Sequence, residues 1–122
     1  MIKINMGCGK RNFGPEWVHI DGGNFDHLDY HNLEKLEFDD SSVDLIYASH
    51  VLEYFDRDEV ICVLEEWHRV LKDGGILRLA VPDFEAMVGL YISGHDLKNF
   101  LGPIFGKIKM ADSHVYHKTV YD

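Results

Sequence analysis

The sequence predicts an α/β protein with a mainly parallel sheet of about five strands and helices on both faces. Three observations carry that prediction. Short apolar or alternating runs are separated by segments of helical spacing, an order that implies parallel pairing through right-handed crossovers. A pair of glycines, Gly7 and Gly9, closes the first run, and an acid, Asp21, closes the second. The run Val43–Ala48 is largely apolar on both faces, as in strands covered from both sides.

Ile2, Ile4 and Met6 alternate with polar neighbours and predict strand one, ended by Gly7. Trp17–Ile20 predicts strand two. Between them, Lys10–Glu16 holds Gly14 and Pro15 and has room for at most one helical turn, so the first crossover helix is shortened. His27–Tyr30 predicts a brief third strand and Leu33–Leu36 a single helical turn; Asp39–Ser42 is a loop before the strand Val43–Ala48.

The strongest helix signal follows. Asp56 and Glu59 form a capping-box pattern, and Val60, Val63, Leu64, Trp67, Val70 and Leu71 recur at helical spacing as one buried face. Lys72 belongs to the last turn and Gly74–Gly75 to a left-handed exit. Ile76–Val81 is a strand stopped by Pro82, and Asp83 caps a second helix over Phe84–Ile92, weakened by Gly89. Beyond Ser93 periodicity fades, and residues 94–122 are expected to be irregular.

With 122 residues the chain is a single domain, 1–122, with one core. Its net charge of −9 opposes binding to nucleic acid or to an anionic membrane, both of which call for clustered Lys and Arg. Lys107, Lys109 and Lys118 are the nearest approach to a basic patch and read as solvated surface. No apolar run approaches the roughly 20 residues of a membrane span, and the chain opens directly on a strand without a signal peptide. Cys8 and Cys62 have neither metal nor disulfide spacing and are expected to be small buried thiols in a reducing compartment, which makes the cytoplasm the expected location.

In parallel sheets ligands bind outside the carboxyl ends of the strands, which here gathers Gly7, Asp21, Asn32, Ser49 and His50 along one rim. Glycines let the backbone approach a ligand closely, and an acid at the end of strand two can accept both hydroxyls of a ribose. Singly, a glycine turn or a solvated strand-end acid is commonplace; together they favour a nucleoside ligand. Asp21 follows Gly9 by only twelve positions, whereas a dinucleotide fold places its acid roughly 20 residues on. A pyrophosphate exploits the N-terminus of a well-formed first helix, which residues 10–16 can hardly provide. A ligand with ribose and adenine but no phosphate, such as S-adenosylmethionine, loses little from its absence.

Four segments, INMGCG (4–9), WVHID (17–21), LEFDDSSVDLIYASHVLEYF (36–55) and EEWHRVLKDGGILRLAVPD (65–83), resemble in order and spacing the class I S-adenosylmethionine-dependent methyltransferases of small-molecule type. HKTVYD (117–122) is similar to the segment that precedes the last helix in such proteins. The resemblance implies a Rossmann-like domain and S-adenosylmethionine as cofactor. It implies Gly7, Cys8 and Gly9 at the methionine and ribose portion, Asp21 on the ribose hydroxyls with Gly22 beside it, Asn32 at the adenine amine, and Ser49 and His50 beside the sulfonium. Members often carry Asp where Asn32 stands, and an apolar side chain over adenine where Gly22 and Gly23 stand, which predicts looser recognition of the base. Tyr54 replaces a histidine common in relatives.

The methyl acceptor is expected to be a small molecule or a surface-exposed group. His50 is the candidate catalytic residue, a general base where the acceptor must lose a proton; its alternative is a hydrogen-bonded histidine that shapes the crevice. Asp83 could reach the acceptor too, although helix capping accounts for it. No metal site is expected: His114 and His117 could meet on a helix but lack periodic surroundings. Members of the family continue past a segment like HKTVYD into a helix and two strands, so this chain reads as truncated. Ile76–Val81 is then an exposed edge strand, and a homodimer pairing at that edge is expected. The leading function is methyl transfer; the alternative is a non-catalytic S-adenosylmethionine-binding protein or a degenerate, truncated methyltransferase fold.

Overall fold

The computed structural model describes residues 1–122. Strands β1 (Lys3–Met6), β2 (Val18–Ile20), β3 (Val43–Ser49) and β4 (Leu71–Ala80) form a wholly parallel sheet in the order β2-β1-β3-β4. The segment expected as a third strand at 27–30 contributes a single parallel bridge, Ile20 to Tyr30, outside β2. Its pairing is limited because Asp29 and Tyr30 direct their N–H groups to the His19 carbonyl and the Asp29 carboxylate accepts from His19 N–H. The architecture is the Rossmann-like α/β fold read from the sequence.

Registration explains the core. Ile4 lies opposite Ile46, Met6 opposite Ala48, and Met6 opposite Ile20, so these side chains share one face. Helix α1 (Glu59–Val70) covers that face with Val63, Trp67 and Val70, all buried. Each such side chain contributes about 1.5–3 kcal/mol when fully removed from water. The opposite face, with Asn5, His19 and Tyr47, is closed by the connection between β1 and β2 instead of a helix. Phe13 packs on Tyr47 at 5.5 Å and donates its N–H to His19 Nε2, and Asn5 Nδ2 donates to the Arg11 carbonyl. Residues 10–16 are therefore a lid of turns, as Gly14 and Pro15 suggest.

The capping box is closed. Asp56 Oδ1 accepts from the N–H groups of Asp58 and Glu59, and Glu59 Oε2 accepts from Asp56 N–H. At the other end the helix stops at Val70, not at the glycines. Leu71 is already extended and pairs with Val43, so Lys72 and Gly74–Gly75 belong to an irregular start of β4, where Gly74 has φ +78°. The turn expected at Leu33–Leu36 is also absent. Its backbone groups go to α1 side chains instead: the Leu33 carbonyl accepts from Trp67 Nε1, Leu36 N–H donates to Glu66, and the Leu36 carbonyl accepts from Arg69. Cys62 is exposed on α1 and only Cys8 is buried; position 62 falls between the inward-facing positions of the helix.

Helix α2 (Phe84–Ile92) has the predicted limits, with Asp83 Oδ1 accepting from Ala86 N–H at 3.0 Å. Residues 94–122 are more ordered than periodicity suggests. They form a 3₁₀ turn, a short helix α3 (Leu101–Phe105), and an antiparallel hairpin of β5 (Ile108–Met110) and β6 (Ser113–Val115). The segment is tied back by long-range bonds: Lys118 N–H to the Glu53 carbonyl, Phe84 N–H to the Tyr121 carbonyl, and Lys118 Nζ to Glu59. His114 lies on β6 and His117 beyond it, so they share no helix face. β4 is the outermost strand on its side, as expected for Ile76–Val81. No helix is long and apolar enough to cross a membrane.

Candidate functional site

The site begins where β1 ends. Gly7 turns at φ +60° and donates its N–H to the Ile20 carbonyl, which clasps the turn to the end of β2. A Cβ at Gly7 would lie 2.4 Å from Val51 Cγ2, so no side chain fits there. Gly9, at φ +54°, faces open space, and its N–H donates to Asp21 Oδ2 at 2.8 Å. Asp21 Oδ1 accepts from Gly23 N–H at 2.7 Å. The strand-two carboxylate thus turns toward the glycines and is fixed by two backbone donors. An ionised carboxylate has about four acceptor positions, so it keeps capacity for further donors.

Three cavities open along this rim. The first, about 650 Å³, lies between Gly7, Asp21 and Gly22 on one side and the β5–β6 hairpin on the other. The second, about 250 Å³, lies beside the glycine turn and is lined by Cys8, Gly9 and Ser49. The third, about 670 Å³, is bounded by Glu53, Asp83, Met87 of α2, Pro103 and His117. His50 and Tyr54 line all three. They stand at the point where ligands in the three spaces would meet.

His50 holds this position in a left-handed conformation, φ +58°, with its N–H bound to the Ala80 carbonyl at 2.8 Å. Such a conformation costs a residue other than glycine about 1–2 kcal/mol. Beneath it lies Glu53, buried, with no hydrogen-bond donor on either carboxylate oxygen. The ring nitrogens nearest it are His50 Nδ1, 3.3 Å from Oε1, and His117 Nε2 at 3.9 Å, of which the neutral His117 offers only a lone pair. His117 Nδ1 faces the Pro103 carbonyl at 3.0 Å and must carry hydrogen there, because a carbonyl only accepts. Tyr54 meets the His117 ring edge to face at 4.7 Å.

Burial, then the charges of Glu53 and Asp21, raise the Tyr54 phenol above its ordinary range and keep it a hydrogen-bond donor. Burial and Glu53 do the same for Tyr121, whose hydroxyl approaches the Leu52 carbonyl at 3.5 Å. The Cys8 thiol is pushed up to about 11, first by burial and then by Asp21, so it stays protonated and weakly nucleophilic near neutral pH.

Most of the residues singled out in the sequence converge here. Gly7, Asp21 and Gly22 line the first cavity; Cys8, Gly9 and Ser49 line the second; His50 joins them. Asn32 does not take part. It is exposed, and its Oδ1 accepts from the Glu34 and Lys35 N–H groups, while Leu33 and Glu34 reach the first cavity in its place. Ile108, Met110 and Val115 of the hairpin also line the first cavity, and no periodic setting in the sequence points to them. Glu53 carried a faint signal, an acid within the apolar run that follows β3.

A family model described as "Methyltransferase domain" matches residues 18–79, just over half of the chain, from the start of β2 to the end of β4. No curated protein matches.

Proposed function

The chain belongs to the methyltransferase-domain family, and from that premise we propose that it binds S-adenosylmethionine and transfers its methyl group to a small or surface-exposed acceptor. The observation that carries this reading is the Asp21 carboxylate turned toward Gly9, with an open cavity beside it. The residues suit the group. Asp21 has unused acceptor positions for ribose hydroxyls, and Gly7 and Gly9 leave backbone bare of side chains. Lys10 and Arg11 follow the turn, but no helix N-terminus stands there such as a pyrophosphate would seek.

When bound, the cofactor supplies a methyl group on a positively charged sulfur, already activated for in-line displacement. The chain's part is alignment and the exclusion of water. Tyr54 offers a neutral hydroxyl at the junction, and the apolar flank of the third cavity, including Met87 and Leu90, receives the acceptor's body. His50 takes the proton of a hydroxyl or amine acceptor, and Glu53, 3.3 Å from its Nδ1, balances the resulting imidazolium.

Calorimetry with S-adenosylhomocysteine tests the cofactor, and release of that product from S-adenosylmethionine in the presence of hydroxyl- or amine-bearing acceptors tests the transfer. Absence of binding would sink the proposal. Binding without turnover would favour the second reading, a cofactor-binding protein without transferase activity. We place the chain in a reducing compartment such as the cytoplasm, in which an exposed thiol like that of Cys62 persists. The acidic charge disfavours nucleic-acid and membrane partners. We further propose a homodimer through β4, whose outer edge has no neighbouring strand and which exposes Ile76 and Leu79.

A further inference from the structure

The first cavity has both polar and apolar walls. Asp21, Glu34, His114 and Lys118 are among its polar groups; Ile108, Met110 and Val115 of the β5–β6 hairpin, with Leu33 and Phe55, are among the apolar ones. A nucleoside has the same division, since its sugar presents hydroxyls and its base presents two flat faces that need apolar contact. Directly after Asp21 the chain offers no such contact, because Gly22 and Gly23 have no side chains. Gly23 is constrained for another reason: a Cβ there would lie 2.7 Å from the Phe25 ring and 3.0 Å from Asp21 Oδ1, spoiling the bond that fixes the carboxylate. Gly22 has no such constraint. It has no left-handed φ, and the sole atom near its missing Cβ is Met110 Cε, at 3.4 Å.

We propose that Met110 occupies the space left by Gly22 and forms the apolar wall against which the nucleobase of the bound cofactor packs. The hairpin is thereby a binding element of the cofactor site, supplied from the far end of the chain. Met suits the task, as a flexible and polarizable side chain that adapts to an aromatic face. The base of the hairpin is anchored while its tip is exposed: His117 N–H binds the Phe105 carbonyl, Lys118 N–H binds the Glu53 carbonyl, and Ala111 turns the tip at φ +41°. Met110 can thus withdraw for entry without loss of the fold.

This inference rests on the cofactor reading above, and the test separates the two. Calorimetry with S-adenosylhomocysteine would be run on the wild-type chain, Met110→Ala, Gly22→Leu and the double variant. The dissociation constant of Met110→Ala is expected to rise about tenfold, the loss that follows removal of a Met side chain from apolar contact. Gly22→Leu places its side chain where Met110 stands and should also weaken binding. The double variant should recover most of the affinity, because one apolar group then fills the space of the other. In addition, the Met110 ε-methyl carbon–proton NMR signal should move upfield on saturation, shifted by the ring current of the base, more than those of Met1, Met6 and Met87. If the wild type does not bind, the cofactor reading itself fails. If it binds and Met110→Ala binds equally well, or more tightly, the side chain is a bystander or a plug, and the inference is overturned. An unmoved methyl signal would overturn it as well.

Discussion

Asp21→Asn should weaken the protein and its cofactor site together. The carboxylate accepts from Gly9 N–H at 2.8 Å and Gly23 N–H at 2.7 Å, one on each oxygen. An asparagine keeps the shape but has a single carbonyl oxygen, so one of these backbone donors must face an NH₂ group. A hydrogen bond to a charged partner contributes about 1.5–3 kcal/mol, and losing one of the two lowers stability by about 2 kcal/mol. In urea the unfolding midpoint should fall by about 1 M, given the denaturant slopes of small domains. The ribose hydroxyls lose the charge that would attract them, which corresponds to about a ten- to hundredfold rise in the S-adenosylhomocysteine dissociation constant. Denaturation without ligand and calorimetry at temperatures well below the variant's melting point keep the effects apart. A midpoint shift with unchanged affinity would mean that Asp21 only fastens the glycine turn and that the ribose lies elsewhere. No change in either would refute the reasoning altogether.

Gly7→Ala and Gly9→Ala form a matched pair. Both lose a left-handed glycine, at about 1–2 kcal/mol each, but only Gly7→Ala also forces a Cβ to within 2.4 Å of Val51, adding about 1–3 kcal/mol of overpacking. Urea midpoints should rank wild type above Gly9→Ala above Gly7→Ala, and equal midpoints would contradict the packing. Glu66 is held down to about 2, from an ordinary 4.5, first by its hydrogen bond to Arg69 and further by Leu36 N–H. Because the folded pKa is the depressed one, this contribution is complete above about pH 4.5 and lost as pH falls toward 2. Glu66→Gln should flatten the fall in stability over that window; an unchanged acid limb would argue against the pairing. Toward a disulfide reagent at pH 8, Cys62 should react readily and Cys8 slowly, its thiolate forming only as pH approaches about 11. Rapid reaction of both thiols in the folded chain would contradict the burial of Cys8. Sedimentation at micromolar concentration should show a dimer that Ile76→Lys weakens, by placing a charge beside the unpaired edge of β4; a monomeric wild type would count against the pairing.

The parts of the fold legible in the sequence are those whose partners lie nearby or repeat regularly. The α1 face, the reciprocal cap of Asp56 and Glu59, and the Asp83 cap of α2 are local patterns, and the structure contains each of them. Gly7 and Asp21 were legible because a turn after one strand and an acid after the next need only adjacent strands to meet. What stayed hidden depends on distant partners. The carbonyls of Leu33 and Leu36 are bound by Trp67 and Arg69, more than thirty residues along, so the local apolar run at 33–36 says nothing about its geometry. The same holds for residues 94–122, which are pinned by Glu53 and Phe84 and not by an amphipathic period. Asn32 shows the converse. Its short amide side chain found an acceptor's role in its own turn, with Glu34 and Lys35, before any ligand could claim it.

Expensive features gather at one place in this molecule. Glu53 holds the buried side-chain oxygens that lack a donor, and an ionised carboxylate in that condition costs several kcal/mol, of order, unless a nearby group supplies a proton. Three residues away, His50 is held at φ +58°, and its neighbour Val51 packs against Gly7 so closely that position 7 must be glycine. The other left-handed residues besides glycine, Ser41, Lys107 and Ala111, are exposed, in loops or at the hairpin tip. His50 instead lines all three cavities, with its N–H bound to the Ala80 carbonyl at the end of β4. A fold assembled for stability alone would remove the orphaned carboxylate, since an apolar residue of like size is at least as stable in such a position. Glu53 beneath His50 is instead what a proton-accepting imidazole requires: a carboxylate facing Nδ1 that favours the ring hydrogen on that nitrogen, leaves Nε2 open to the acceptor's proton, and offsets the charge that follows. Glu53→Gln should therefore stabilise the folded chain or leave it unchanged in urea, while slowing methyl transfer to any acceptor that must lose a proton. A variant that is instead strongly destabilised would show that the carboxylate is already paired in the resting protein.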